Sequence, residues 1–406
     1  MKGHHDMRIV VQKFGGTSVA THESRKHVIN KIKQAVEAGL SPVVVVSAMG
    51  RKGAPYATDT LIDFVAQNAG DMSPHSYDML LSCGEIISAV TMVTLLESEG
   101  LKAKAFTGGQ AGIITDHYHQ KADLLCAKPE RLLKTLEEGI IPVVAGFQGM
   151  TVDGQITTLG RGGSDTSAAL LGAILKAESI EIYTDVDGIM TADPNVCGKA
   201  KIIPAISYTE VFQMADSGAK VIHPRAVEYA MRANIPLVIK NTFSDAKGTY
   251  ILQNVENIID KNLHHQKVIT SVAHRYHRIQ FTIHEENHFD VDLLSAIAEA
   301  NISIDLINIF PEDKVFTIDA SDEKALRALL DQQGYHYEVL KDCAKVTVIG
   351  ERMTGIPGVM ARIVKALGKE KIEIYQTADS LTTIACLICA KHVPKAIDVL
   401  HDEFHL

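Results

Sequence analysis

Two rhythms divide the chain. Up to about residue 245, apolar runs without strict alternation (RIVVQKF, SPVVVVSA, IIPVVAGF, IEIYTDV, IPLVIKN) are separated by longer stretches of helical character. Among the latter are ESRKHVINKIKQAVEAG, SYDMLLSCGEIISAVTMVTLLESEG and SDTSAALLGAILKAE, the first two ending in Gly, a common helix stop. Runs apolar on both faces suit parallel strands covered on both sides. The prediction is an α/β domain: a mostly parallel sheet sandwiched by helices, with ligands at the carboxyl ends of its strands.

The pattern changes at NTFSDAKGTYILQN. Beyond it, two stretches repeat at an offset of 70 residues: Leu293, Ile297, Ile302, Ile304 and Val315 correspond to Ile363, Leu367, Ile372, Ile374 and Ala385. In each copy a helix (LLSAIAEAN, IVKALGKEK) precedes an alternating strand (ISIDLINI, IEIYQTA), a second strand and a closing helix. Two copies of an α+β unit read as a pair of small modules, not a solenoid, which needs three or more repeats. The expected boundaries are 7–245, 262–338 and 340–406.

Composition narrows the functional classes. A chain of 406 residues is long enough for two or three domains. It is 46% hydrophobic but only 5% aromatic, without Trp, which suits a Val/Ile/Leu/Ala-built α/β core. A net charge of -9 and the lack of a basic block argue against nucleic acid as a partner. No run reaches 18 consecutive apolar residues, so no membrane span is expected. MKGHHDMRIVV lacks a signal-peptide apolar segment; its His pair reads as a tag remnant and Met7 as a start. Six scattered cysteines read as reduced thiols of a cytoplasmic protein. Cys386 and Cys389 form a CxxC inside TTIACLICA, which reads as core packing.

Five segments carry candidate chemistry. In VVQKFGGTSVA, Lys13 precedes Gly15 and Gly16, the wrong order for GxxxxGK[ST], and no GxGxxG follows. Alone, the stretch fits a tight turn or a phosphate cradle equally: a strand-end lysine supplies charge, and glycines let backbone N–H groups approach an anion. TTLGRGGSDTSAALLGAIL sets Arg161 among glycines ahead of a helix that Ser164 or Asp165 is placed to cap. A capped helix accounts for the Ser-Asp pair but not for the arginine, whose fork suits a carboxylate. YTDVDGIMTADPNV holds Asp185, Asp187 and Asp193 at spacings that fit a calcium loop poorly. It reads either as a polar turn or as a nucleotide loop. SGAKVIHPRAVEYA offers Lys220 just before a helix, with His223 read as a packing residue. Glu85, in the apolar LLSCGEIISA, calls for a cationic partner, for which an amino acid's ammonium would serve. His117, His119 and the other histidines show no metal-ligand spacing.

Taken together, KFGGTSV, GRGGSD, TDVDGIMTADP and GAKVIHP, in this order and ahead of a tandem repeat, resemble the aspartokinases of the amino acid kinase family. The likeness covers nearly the whole chain, a kinase domain followed by two ACT modules. It is strongest to bacterial monofunctional, diaminopimelate-sensitive forms, for no homoserine dehydrogenase segment follows. The resemblance implies transfer of the γ-phosphoryl of ATP, with Mg²⁺, to the side-chain carboxylate of L-aspartate, the first step toward lysine, diaminopimelate, threonine and methionine. It assigns Lys13, Phe14, Gly15, Gly16, Thr184, Asp185, Met190 and Lys220 to the nucleotide, with Asp185 orienting the phosphate-binding lysine. Ser47, Thr58, Glu85, Arg161, Ser164 and Asp165 fall to aspartate; Lys13, Arg161, Asp185 and Lys220 carry catalysis, and no protein metal ligand is assigned. Asn195 stands where many relatives carry Arg.

The modules would bind an amino-acid effector (diaminopimelate, lysine or threonine) near Asp305, Asn308, Gln376 and Asp379. The copies are not equivalent, since GIPGVMARI of the second faces HEENHFDVDLL of the first. A homodimer through the modules, or an α2β2 assembly with a separately made C-terminal subunit, is implied; Met231 is an internal methionine upstream of the modules. The competing readings are another amino acid or carbamate kinase, a ligand sensor with an inactive kinase domain, and a Rossmann oxidoreductase. KFGGTSV with the tandem modules, the intact Lys13, Glu85, Arg161, Asp165, Asp185 and Lys220, and the missing GxGxxG weigh against them in turn.

Overall fold

The computed structural model describes residues 7–67, 72–219, 222–255, 268–284, 291–351, 353 and 356–406. They form two compact units, the first holding residues 7–189, 202–211 and 222–255, the second 190–201, 212–219 and the described residues from 268 on.

The first unit contains β1 (Ile9–Phe14), α1 (His22–Glu37), β2 (Ser41–Val46), α2 (Thr58–Ala66), α3 (Pro74–Ser98), β3 (Ala103–Phe106), β4 (Ile113–Thr115), β5 (Leu124–Ala127), α4 (Glu130–Glu137), β6 (Ile141–Ala145), β7 (Gln148–Thr151), β8 (Ile156–Thr158), α5 (Gly163–Leu175) and β9 (Ser179–Thr184). β10 (Ala205–Ser207), α7 (Pro224–Ala233), β11 (Leu237–Asn241) and β12 (Thr249–Leu252) complete it, while α6 (Tyr208–Asp216) starts in it. An eight-stranded sheet runs β10-β12-β11-β9-β1-β2-β6-β3. The six strands from β11 to β3 are parallel, and β12 turns antiparallel to β11. The expected strands are all present, and β1 and β2 are buried along nearly their whole length because both faces are covered. α1 and α3 bury Phe14, Val44, Val46, Met92 and Leu96 on one face, and α5 packs on β1 and β9 from the other. β1 lies between β9 and β2, so the chain leaves the sheet in opposite directions on its two sides. This is the switch point at which such sheets open a crevice at their carboxyl ends. A four-stranded sheet, β5-β4-β7-β8, borders α3.

α3 is long and apolar enough to cross a membrane by length and composition. It packs on β3, β6 and β8 and buries two carboxylates, Asp78 and Glu85.

The second unit is antiparallel, with six strands ordered β14-β15-β13-β16-β18-β17. They are β13 (Ser271–His284), β14 (Ile307–Ile309), β15 (Asp313–Asp319), β16 (His336–Ile349), β17 (Gln376–Asp379) and β18 (Thr383–Cys389). Helices α8 (Val291–Glu299), α9 (Glu323–Gln333), α10 (Val359–Lys369) and α11 (Val393–Glu403) accompany them. β15 and α9 recur as β18 and α11 at the expected offset of 70 residues.

The modules interleave instead of following one another. β13 and β16 are shared, and their register slips between Arg275 and Arg278. Residues 271–275 pair with 345–349 beside β18, whereas 278–284 pair with 336–343 beside β15. Ile269 and Val272 therefore join the core of the second repeat, with Ile363, Ile384 and Ile397. Residues 190–201 also belong to this unit: Thr191 Oγ1 bonds His401 Nε2 at 2.9 Å, Lys199 pairs with Asp402, and Cys197 lies in the same core. The start of the expected first module at 262 falls outside the described residues.

Candidate active site

β1 ends by delivering Lys13 and Phe14 to the switch point. Their side chains part, because successive strand residues face opposite sides. The Phe14 ring is fully buried, stacked on Tyr183 at 4.8 Å between ring centroids, so its side chain serves the core. Lys13 turns to the other face, where its Nζ meets Asp165 Oδ1 at 2.6 Å. The turn that follows must be glycine at position 16. A Cβ there would lie 2.8 Å from the Gly50 carbonyl oxygen and 2.9 Å from that of Ala48. The neighbouring strand end is tied in by Ser47 N–H donating to the Phe14 carbonyl at 3.1 Å.

A cavity of about 540 Å³ opens here. It gathers Lys13, Gly16, Ser47, Thr58, Glu85, Ser164 and Asp165 of the expected set. Ser164 and Asp165 occupy the first turn of α5 but do not cap it; Gly162, with φ of 68°, is the N-cap, and no side chain bonds there. Asp165 is thereby free to hold Lys13. The sequence preference for Ser or Asp at a cap was overridden because the glycine loop reverses at Gly162, two residues before Ser164.

Glu85 is the least settled group in the cavity. It is 3% exposed. Its Oε1 accepts from the Ala48 N–H at 3.2 Å, while its Oε2 is buried without a hydrogen-bond partner. Burial pushes its carboxyl up to about 8, only partly opposed by backbone hydrogen bonds. A buried carboxylate lining a cavity with one oxygen unanswered is a receptor for a cationic donor.

The remaining expected residues lie elsewhere. Gly15 caps the end of β1, its N–H donating to the Tyr183 carbonyl at 3.3 Å. Arg161 is exposed and outside the cavity lining. Thr184 closes a turn with Val186, and Asp185 is exposed. Asp185 does not orient Lys13; its partner is Arg51, Nη2 to Oδ2 at 3.1 Å. Met190 belongs to the second unit. Asn195 bonds within its own turn, to Asp193. Lys220 lies outside the described residues. Arg51 and Lys52, which line the cavity, were not anticipated. Their signal was a basic pair between Gly50 and Gly53 directly after a central strand.

Among the described residues, no group of three or more His, Cys, Asp or Glu is arranged to hold a metal ion. In the second unit, two of the candidate effector residues, Asn308 and Gln376, contact each other. Lys345 Nζ holds Asp305 Oδ1 at 2.7 Å, and buried Arg278 pairs with Asp319. Gln376 Nε2 donates to Asn308 Oδ1 at 2.7 Å, and Gln280 Nε2 donates to Gln376 Oε1 at 2.9 Å. Asp379 is exposed.

The model of the amino acid kinase family matches residues 8–241, and an ACT domain model matches 338–402. The chain is 44% identical to Aspartokinase 1 of Bacillus subtilis over 403 residues, covering 98% of this chain and all of that protein. It is 38% identical to the aspartokinase of Geobacillus stearothermophilus over 413 residues, 98% of each chain. Among solved structures, E. coli aspartokinase III in complex with aspartate and ADP superposes with a TM-score of 0.78 at 26% identity, over 98% of this chain and 100% of that one. A family match over more than half the chain and full-length likeness to curated enzymes agree with the cavity at the β1 switch point: the chain belongs to the aspartokinases of the amino acid kinase family.

Proposed function

We propose that the β1 cavity binds both L-aspartate and the terminal phosphates of ATP, and that its residues divide the work by charge. The observation that carries this reading is the pairing in one cavity of Lys13 with a buried Glu85 whose Oε2 has no partner. Glu85 takes the ammonium group of aspartate. Ser47, Thr58 and Ser164 line the space for the rest of the substrate. Lys13 leaves Asp165 for the phosphates, with the glycine turn supplying close backbone approach. Arg161, at the mouth of the glycine loop, clamps a substrate carboxylate; Thr184, Asp185 and Lys220 serve the nucleotide.

A carboxylate acceptor is already ionised at neutral pH, so no general base is required. The site's task is alignment and neutralisation of growing charge. ATP enters as its Mg²⁺ complex. At the cavity Asp165 holds Lys13 and Glu85 Oε1 accepts from Ala48 N–H, and the Mg²⁺ of the complex is held chiefly by phosphate oxygens. E. coli aspartokinase III was solved with aspartate and ADP, and separately with lysine and aspartate; both fit this reading. The effector is an amino acid bound at the paired modules. Edge strand β14, with Ile309 and the adjacent Phe310 exposed, supports their pairing with a second copy. Six unpaired cysteines accord with a reducing, cytoplasmic setting.

The test is ADP release with Mg-ATP and L-aspartate, L-glutamate or no acceptor, with hydroxylamine trapping of the acyl phosphate. Lys13→Ala is expected to lower kcat by about 10³-fold with the fold intact. Turnover without aspartate equal to that with it would sink the reading, and full turnover in the variant would remove Lys13 from it. Repeating the assay with lysine, threonine and diaminopimelate names the effector.

A further inference from the structure

The loop joining β2 to α2 rises directly from the glycine turn. Gly50 N–H donates to the Gly16 carbonyl at 3.0 Å. Gly50 has φ of 88°, and a Cβ on it would lie 2.5 Å from Ala54 Cβ, so the loop closes only with glycine there. The Arg51 carbonyl then accepts from Ala54 N–H at 2.9 Å. Arg51 is thus held one residue beyond the contact with the glycine turn, on the wall of the cavity that also contains Lys13 and Asp165. Its guanidinium reaches Asp185 just past the end of β9, at 3.1 Å. Both side chains are open to solvent, 76% and 49% exposed. An ion pair so open to solvent is weak. It parks the guanidinium without committing it.

We propose that Arg51 is a further catalytic residue. When the nucleotide is bound, its guanidinium leaves Asp185 and donates to the phosphoryl group in transfer. The inference rests on reading the β1 cavity as the phosphoryl-transfer site. In the step it serves, a bond forms between an aspartate side-chain oxygen and the γ-phosphorus. The bond from that phosphorus to the β,γ-bridging oxygen breaks, and ADP departs with the electron pair; no proton moves. Charge spreads over the three non-bridging oxygens of the transferring group. Lys13 meets that charge as a point cation; a planar guanidinium meets two oxygens at once. The glycine-closed turn fixes the base of the side chain, and the exposed ion pair leaves its tip free to exchange.

The experiment measures binding of the β,γ-imido analogue of ATP and of ADP, both with Mg²⁺, by calorimetry on the full chain, alongside kcat with aspartate. The parent, Arg51→Gln and Arg51→Lys are compared. Arg51→Gln is expected to lose about 10²-fold in kcat. It should weaken the imido analogue at least tenfold more than ADP, because only the former presents a γ-phosphoryl. Arg51→Lys should recover part of kcat, since it keeps the charge and loses the fork. A purely structural role would weaken both nucleotides equally. That outcome, or kcat within threefold of the parent, overturns the proposal. If the parent itself transfers no phosphoryl to aspartate, the reading of the cavity fails, and this inference with it. An active parent with an unaffected Arg51→Gln removes Arg51 alone.

Discussion

Two carboxylates are buried on α3, seven residues apart, and the structure treats them in opposite ways. Asp78 is fully enclosed and fully answered. It accepts from Thr158 Oγ1 at 2.6 Å, from the N–H groups of Thr158 and Gln120, and lies 2.9 Å from His119 Nδ1. These partners tie α3 to β8 and to the loop before β5. Glu85, two helical turns on, lines a cavity with one backbone donor and one oxygen without a partner. Burial alone therefore does not mark function. A buried charge whose hydrogen bonds close within the chain is architecture, and one whose bonds do not close is waiting for a ligand.

Of the two carboxylates, the larger effect on catalysis comes from neutralising the unanswered one. Glu85→Gln should lower kcat/KM for aspartate by about 10²-fold, the scale of a lost charge-assisted bond in a dry site. The fold should survive, because no charged partner is stranded. Succinate, which lacks the ammonium, sharpens the comparison. Weak as it will be, its binding should differ less than threefold between parent and variant. An equal loss for aspartate and succinate would show that Glu85 shapes the pocket and does not read the ammonium.

Asp78→Asn should act the other way round. An amide nitrogen would be forced among donors, and about 2–3 kcal/mol of folding stability should disappear. Denaturant unfolding measures the loss directly, and KM for aspartate at a temperature where the variant is folded should stay near the parent value. A variant as stable as the parent, with a raised KM, would erase the distinction between the two carboxylates.

The difference between them was only half legible beforehand. Glu85 stood out in LLSCGEIISA because a charge in an apolar helix needs a partner, and no positive residue lies nearby in sequence. Asp78 escaped notice because its partners, Thr158 and His119, are some 80 and 41 positions away. The same limit explains other differences. The parallel sheet and the 70-residue repeat are local patterns repeated, so they were readable. That 271–275 serve the second module depends on a strand register between distant segments, which no local pattern encodes. Lys13 was readable as a strand-end lysine before glycines. Its partner, Asp165 and not Asp185, depends on whether the start of α5 or the loop after β9 meets the same strand end.

The last test of the contrast is a pH dependence, confined to a window, and its sign follows from Glu85 alone. Its folded carboxyl is pushed up to about 8 from an ordinary 4.5. Binding an ammonium requires the ionised form, so aspartate binding below pH 8 must expel a proton. KM for aspartate should fall by up to about tenfold per pH unit from pH 6 toward 8 and level off above it. Stability runs in the opposite sense. Between pH 4.5 and 8 the unfolded chain releases this proton while the folded chain keeps it, so the contribution of Glu85 to stability is whole below 4.5 and falls away as pH rises to 8. Glu85→Gln carries no such proton. Its melting temperature relative to the parent should therefore climb through that window and stay flat beyond it, an advantage on the order of a few kcal/mol at most. Aspartate at saturation should reduce the advantage by supplying the missing cation to the parent. If the two melting curves instead run parallel from pH 5 to 9, the Glu85 carboxyl is ionised in the free enzyme and already has its partner within the chain. The contrast with Asp78 would then be one of geometry and not of charge.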